Sequence, residues 1–352
     1  MSQLPTKQRI EYFDYLRLLA SLAVVTIHIC SPYWFSAPVN TYQWKVLALF
    51  ESLSRWSVPV FFMISGSLFL SSSQNIRKIL TKNLRHIVTA FLFWSAVYTF
   101  ICYIEGEYTL RESIPAFLLG HFHMWYLYAI AGLYLAVPIL LKVVQCREST
   151  KYFLVMAFLF GCLFPQVAVW SGRIIPWTEE YLMKIHTRLS IDTFCGYSLY
   201  FVLGWYLHTT DFSAKHRKVI YILGTTGMLF TVIMTWTLSY CNQTPIHIFL
   251  DYLTPNTFFV SIAVFVFAKY HFRYGNLSPK AISLLQRLSR YSFGVYLVHP
   301  LLYDVLLYQF GYDLMSQNIL FSVSVTSLGI YAASFLFSGL IHQIPILKKL
   351  IV

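Results

Sequence analysis

The sequence predicts an all-α, polytopic integral membrane protein with about ten transmembrane helices and both termini in the cytoplasm. Of its 352 residues, 57% are hydrophobic and 11% are charged, whereas soluble domains are roughly half apolar and about a quarter charged. The charges occur in short clusters between apolar runs of roughly 20 residues, the length at which a helix crosses a bilayer. We therefore expect residues 1–352 to form a single membrane domain without a soluble appendage.

Ten apolar runs make up the predicted spans. Helices are favoured because each segment has to satisfy its own backbone hydrogen bonds in lipid, and the alternating pattern of a transmembrane barrel is absent. The runs are 11–32, 43–70, 84–104, 122–141, 152–170, 193–209, 219–238, 248–268, 291–310 and 318–345.

The Lys and Arg residues set the predicted orientation. With the N-terminus in the cytoplasm, 19 of them lie on the inner side of the ten spans and six on the outer side, as the positive-inside rule requires. The net charge of +12 is spread over short interhelical clusters, so we expect no nucleic-acid partner. The six cysteines show no metal-binding spacing and most lie in apolar runs, so we expect neither a metal site nor a disulfide framework.

The first span contains three ionisable side chains in the stretch DYLRLLASLAVVTIHIC. Arg17 and His28 are eleven residues apart, about three helical turns, and therefore share one face. Asp14 stands three residues before Arg17, a spacing at which opposite charges meet and at which Asp14 can orient the guanidinium. Because ionisable residues in a bilayer are costly and mark functional sites, we interpret these three as candidate residues of a functional site. The alternative is that Arg17 reaches lipid phosphate and His28 is a packing residue.

The second span contains candidate substrate-binding residues in ESLSRWSVPVFFMISG. Glu51 and Arg55 have the spacing of an ion pair at its outer end, and Ser65 lies roughly 15 Å deeper by helical rise. Pro59 between them leaves a backbone carbonyl without its helical donor, which a polar cavity could satisfy. A packing kink is the alternative.

The fourth and ninth spans add further candidates at similar depth. GHFHMWYLYAIAG places His121, His123 and Trp125 at the outer end of the fourth span, and YSFGVYLVHPLL places Tyr296 and His299 on one face of the ninth. An interfacial aromatic belt could account for Trp125, and core packing could account for the ninth span. We expect His123, Trp125, Tyr296 and His299 to line a cavity.

A basic cluster precedes the third span on the predicted cytoplasmic side. RKILTKNLRHI supplies Arg77, Lys82 and Arg85, which could hold the phosphates of an anionic ligand. Ordinary positive-inside bias also explains such a cluster.

Four segments carry a resemblance to a known family. DYLRLLASLAVVTIH, SVPVFFMISGSLF, HMWYLYAIAGLYLAVPIL and YSFGVYLVHPLL resemble, in this order, recurrent segments of the integral membrane acyltransferase-3 family, whose first helix carries an Arg-x10-His signature. The similarity extends over most of the chain. It is greatest to the short members, of the enterobacterial common antigen O-acetyltransferase type, because the extracytoplasmic SGNH-like domain of longer members is not found here.

The resemblance implies an activity and roles for several residues. Members transfer an acetyl group from cytosolic acetyl-CoA to a sugar hydroxyl of a cell-surface or lipid-linked polysaccharide, such as lipopolysaccharide, at the bacterial inner membrane. Arg17 and His28 occupy the positions of the family's essential pair. Lys82 and Arg85 stand where many members have Arg-x-x-Arg, so the first position departs from the pattern. The resemblance implies no tightly bound cofactor, with acetyl-CoA acting as a substrate.

Two questions of mechanism and class stay open at this level. His28 could act as a general base towards the sugar hydroxyl, or it could be acetylated transiently. Arg55, His123 or Tyr296 could stabilise the oxyanion. Intramembrane charges also mark transport pathways, so the alternative function is a secondary transporter or flippase for a glycan or small molecule, and a structural membrane protein ranks third. Membrane lipid is an expected partner in each case.

Overall fold

The computed structural model describes residues 9–71, 76–190, 196–275, 277–345 and 347–348, and all regular secondary structure in them is helical. The all-α prediction is therefore confirmed. The described α-helices are α1 (Glu11–Ser36), α2 (Tyr42–Ser54), α3 (Ser57–Leu70), α4 (Ile76–Lys78), α5 (Arg85–Ile104), α6 (Leu110–Leu119), α7 (Trp125–Val144), α8 (Arg147–Phe158), α9 (Phe164–Ile174), α10 (Thr178–Leu189), α11 (Ser198–Thr209), α12 (Ala214–Asn242), α13 (Pro255–His271), α14 (Pro279–Asp304) and α15 (Ile319–His342).

Short irregular turns join several of these helices into longer segments. Turns of π-helix connect α4 to α5 at Ile79–Leu84 and α8 to α9 at Leu159–Leu163, and a third extends α14 over Val305–Gln309. A turn of 3-10 helix at Phe122–Met124 leads into α7. Such π-helical turns often lie at functional sites.

Seven helical segments of the described chain are long and apolar enough to cross a membrane, which confirms a multi-pass protein. Predicted spans 193–209, 248–268 and 291–310 are not among them. Residues 193–195 lie outside the described part of the chain, so the first of these is described only from residue 196. The number of ten spans and the side of the termini stay predictions. The seven segments are Glu11–Ser36, Tyr42–Leu70, Ile76–Ile104, Leu110–Val144, Arg147–Ile174, Ala214–Asn242 and Ile319–His342.

The second segment is divided by a turn between α2 and α3. The turn lies at Arg55 and Trp56, four and three residues before Pro59. Because proline has no N–H, it cannot donate the helical hydrogen bond to the carbonyl of Arg55. Regular helical bonding resumes with the Val60 N–H, which donates to the Trp56 carbonyl at 3.1 Å. The predicted break in the backbone therefore occurs, and it turns the chain beside Arg55.

Helix α1 lies at the centre of the molecule. It packs against α2, α3, α13, α14 and α15, and its apolar side chains Leu16, Ala20 and Val25 are fully buried. Most of the residues of α1 are therefore buried or half-buried against other helices. Its ionisable residues are therefore surrounded by protein, and each needs a polar partner or a cavity.

Helices α3 and α11 pack with their backbones in direct contact. A Cβ atom added at Gly66 would lie 1.7 Å from the carbonyl oxygen of Phe201, and one added at Gly204 would lie 2.0 Å from the carbonyl oxygen of Met63. Small residues allow this close approach, which is a common means of holding membrane helices together. The contact fixes α3 beside the site described below.

We predict that Gly66→Ala destabilises the protein, because the new methyl group can be accommodated only by moving α3 away from α11. The expected loss in free energy of unfolding is about 1–3 kcal/mol, measured by thermal unfolding in detergent. Gly132→Ala in α7 is the matched control, since an added Cβ there meets no atom within 4 Å. Equal losses in the two variants would contradict the packing argument.

Candidate active site

A cavity lies between α1, α3, α7 and α14. We call it the inner cavity; its volume is about 150 Å³, and its lining includes Arg17, His28, His123, Trp125, Tyr126 and Tyr296. Arg17 and His28 thus share one cavity, as expected from their positions on one face of α1. His123, Trp125 and Tyr296, predicted from two other spans, line the same space.

His28 forms a hydrogen bond with the second buried histidine of the site. Its Nδ1 lies 2.6 Å from His299 Nε2, and the two rings are inclined by only 9°. His299 Nδ1 lies 3.0 Å from the carbonyl oxygen of Val295. A carbonyl only accepts, so His299 Nδ1 carries the hydrogen and, in the neutral ring, Nε2 is the acceptor. His28 therefore donates from Nδ1, which leaves its Nε2 lone pair available as a base.

His123 extends this cluster from the start of α7. Its Nδ1 lies 3.0 Å from Nδ1 of His121, and its ring is 6.2 Å from that of His28, between centroids. The carbonyl of His123 accepts a hydrogen bond of 2.6 Å from the Tyr296 hydroxyl. Its Nε2 is buried without a hydrogen-bond partner in the described structure. A buried unpaired ring nitrogen beside a cavity is a candidate contact for a substrate.

Tyr98 of α5 was not among the predicted site residues. It forms hydrogen bonds with the backbone of α14 on both sides of His299. Its hydroxyl donates to the Leu297 carbonyl at 2.8 Å and accepts from the Leu301 N–H at 3.3 Å. The hydroxyl is thus inserted into the helical hydrogen-bond ladder next to Pro300, where the helix is already interrupted. Its ring also stacks on His121, with the centroids 4.3 Å apart.

Asp14 is fully buried at the start of α1 and has partners from three parts of the chain. It accepts from Arg9 at 2.6 and 2.7 Å, from the Tyr274 hydroxyl at 2.5 Å and from the Ser289 hydroxyl at 2.6 Å. Burial is the main cause that raises the pKa of Tyr274, and its hydrogen bond to Asp14 acts in the same direction. Arg17 Nη1 lies farther away, 3.6 Å from Asp14 Oδ1. Asp14 thus joins α1 to α14 as well as contacting Arg17.

Glu51 and Arg55 form the ion pair predicted from their spacing. Glu51 is fully buried and accepts a hydrogen bond from Arg55 Nη2. The Arg55 guanidinium carbon lies 5.7 Å from the ring centroid of Tyr252, which lines the inner cavity. Glu51 Oε1 and Arg55 Nε have no hydrogen-bond partner in the described structure. The pair therefore packs against the lining residue Tyr252 and does not itself line the inner cavity.

The remaining predicted residues do not themselves line the inner cavity. Ser65 is next to the hydroxyl groups of Tyr126 and Tyr134. Arg77, Lys82 and Arg85 are exposed around the π-helical turn at Ile79–Leu84. The structure thus places these basic residues on the surface, where they contact neither Arg17 nor His28.

Among the described residues, no three His, Cys, Asp or Glu side chains form a group that could hold a metal ion.

A family model described as an acyltransferase domain, Acyl_transf_3, matches residues 10–342. The chain belongs to the acyltransferase-3 family. Neither a curated protein nor a solved structure matches it.

Membership of the acyltransferase-3 family supports a membrane acyltransferase, and the inner cavity is its candidate active site. Sequence reasoning did not include Tyr98, Tyr126 or Tyr252 in the site. Each of these three residues lies in or near an aromatic-rich apolar stretch, so its type carries no signal of a polar role. Their roles depend on contacts between helices that are distant in sequence.

We predict that Asp14→Asn lowers the free energy of unfolding by about 3 kcal/mol, because it removes the charge that Arg9, Tyr274 and Ser289 surround. Denaturation in detergent measures the change. The control is Glu180→Gln, which breaks an ion pair with Lys184 whose side chains are more than half exposed and should cost at most about 0.5 kcal/mol. A similar cost for both variants would show that Asp14 is not an anchor.

Proposed function

We propose that this protein is a membrane O-acetyltransferase of the bacterial inner membrane. It moves an acetyl group from cytosolic acetyl-CoA to a sugar hydroxyl of a cell-surface or lipid-linked polysaccharide. The observation that carries the proposal is the inner cavity, which brings Arg17 together with a hydrogen-bonded His28 in a chain of the acyltransferase-3 family. Lipopolysaccharide and enterobacterial common antigen are candidate acceptors.

The proposed donor, acetyl-CoA, reaches from the cytosol into the inner cavity. The inner cavity, at about 150 Å³, is smaller than the roughly 300–1,000 Å³ of pockets that enclose a drug-sized ligand. It suits the acetyl thioester and leaves the nucleotide outside. Lys82, Arg85 and Arg77 hold the nucleotide phosphates at the inner surface in this proposal, and Arg17 contacts the pantetheine arm or the thioester.

His28 supplies the general base. Its Nε2 takes the proton of the sugar hydroxyl as the hydroxyl oxygen attacks the thioester carbon. The carbon–sulfur bond then breaks, and the departing CoA thiolate receives the proton from His28. His123 Nε2 is the favoured donor to the oxyanion, in the ring form that carries its hydrogen there, because it is buried, unpaired and beside the cavity. Transient acetylation of His28 is the covalent alternative.

His28→Ala should lower acetyl transfer by about 10²–10⁴-fold, the contribution typical of a positioned base. Membranes are incubated with radiolabelled acetyl-CoA and candidate glycans, and label in the glycan is counted at equal levels of inserted protein. His216→Ala replaces an exposed histidine and is the matched control. Retained transfer in His28→Ala would exclude the base assignment, and substrate accumulation in vesicles without labelled glycan would indicate a transporter.

His299 should act as a positioning residue, because it accepts the hydrogen bond that leaves His28 Nε2 unprotonated. His299→Phe removes the acceptor and should lower kcat by about 10²–10⁴-fold, with little change in KM. His299→Gln keeps an acceptor oxygen and should recover part of kcat. Steady-state kinetics of the two variants separate this role from packing, since equal kcat values for both would mean that the acceptor does not matter.

A further inference from the structure

A second cavity also adjoins His28. We call it the outer cavity; its volume is about 520 Å³, within the size range of ligand pockets, and His28 and His299 both belong to its lining. It is bounded by the last turns of α1 and α5, by the end of α14 and by the π-helical turn at Val305–Gln309. The predicted topology places all of these ends on the extracytoplasmic side. His28 is therefore reachable from two cavities.

Negative charge dominates the outer cavity. Glu105 and Glu107 lie at its exposed edge and Asp304 is half-buried in its wall, whereas no Lys or Arg of the described residues lines it. None of the three carboxyl groups forms an ion pair with a described Lys or Arg. Glu105 and Glu107 also act electrostatically on Asp304, so the three carboxyl groups are close enough to repel one another. The cavity therefore attracts cations and repels anions before either can reach His28.

The other lining residues suit a sugar ring. Phe122 packs edge-on against His28, with the centroids 5.3 Å apart, and Tyr308 is 70% exposed at the opening. These rings offer apolar surface to the faces of a sugar. Ionised carboxylates only accept hydrogen bonds, so they pair with hydroxyl or ammonium donors and not with another carboxylate.

We infer that the outer cavity binds the acceptor and selects a sugar without negative charge. A neutral or amine-bearing ring is accepted, whereas a ring carrying a carboxylate or a phosphate beside the reacting hydroxyl is repelled by Glu105, Glu107 and Asp304. The inference rests on the proposed acetyltransferase function. It adds a substrate class that membership of the family does not specify.

The first test measures the electrostatic potential in the outer cavity and does not depend on acetyl transfer. Gln309 is an exposed lining residue, and Gln309→Cys with the native cysteines replaced supplies a single thiol. Its rate of modification by a cationic thiosulfonate is divided by the rate with an anionic one. The reference is the same ratio for a variant that retains only the exposed Cys241.

We expect the ratio to be about tenfold higher at position 309, because nearby charges change the local concentration of each reagent. Adding Glu105→Gln and Glu107→Gln should lower the ratio at position 309 towards the ratio measured at Cys241. Equal ratios at the two positions would overturn the inference whether or not the protein shows transfer.

The second test compares two acceptors that differ by one carboxylate, a neutral glycoside and the uronate with the same ring. The wild-type protein should show a kcat/KM about tenfold higher for the neutral acceptor. The ratio should fall in Glu105→Gln/Glu107→Gln and in Asp304→Asn. It should not fall in Glu179→Gln, which removes the same charge from an exposed residue outside the cavity.

Failure of the inference and failure of the proposed function give different results. Equal use of the two acceptors by a protein that transfers acetyl groups would overturn the charge selection and leave the acetyltransferase standing. No transfer to any acceptor, with the cation preference of the thiol retained, would overturn the proposed function and the acceptor assignment with it.

Discussion

The hydrogen bond between His28 and His299 joins the two helices on which the rest of the site depends. A second connection, from Asp14 to Ser289, joins the same helices near their other ends. The earlier residue of α1, Asp14, contacts the earlier residue of α14, Ser289, and the later residue, His28, contacts the later one, His299. The two helices therefore run in the same direction. This is the relative direction that the predicted topology requires of the first and ninth spans.

Two attachments fix the register of α1, and Arg17 lies between them. A helix held at one end can rotate or slide, whereas a helix held at Asp14 and at His28 presents Arg17 and His28 to the inner cavity together. Tyr98 adds to this frame by stabilising α14 where Pro300 interrupts its hydrogen bonding. Positioning of this kind matters because small displacements of a catalytic group cost large factors in rate.

The sequence was sufficient for the fold class, for the shared face of Arg17 and His28, and for the Glu51–Arg55 pair. Each of these follows from composition or from helical periodicity, which are local properties. The partners of Asp14 and His28 were not predictable in this way, since Ser289 and His299 lie more than 270 residues further along the chain. Periodicity tells which residues share a face but not which faces meet.

The number of membrane spans is also hard to predict from local sequence properties. Helices α11 and α13 have 12 and 17 residues in the described part of the chain and do not belong to the seven segments that are long and apolar enough to cross a membrane, so the two spans predicted there stay predictions. Hydropathy does not distinguish burial in protein from contact with lipid. The close packing of Gly204 against α3 illustrates that α11 is enclosed by other helices.

The neutral histidine pair explains how a reaction between two charged environments can take place in a buried site. The predicted cytoplasmic surface is basic around Lys82 and Arg85, and the outer cavity is acidic, so each side favours a different reactant. Between them, the His28–His299 pair needs no ionised residue in its resting state, which avoids the cost of burying an isolated charge. In the proposed reaction the proton taken from the hydroxyl is returned to the thiolate. No net charge remains at His28 after turnover, and each acetyl group transferred to the acceptor is matched by one proton that passes from the acceptor hydroxyl to the CoA thiol.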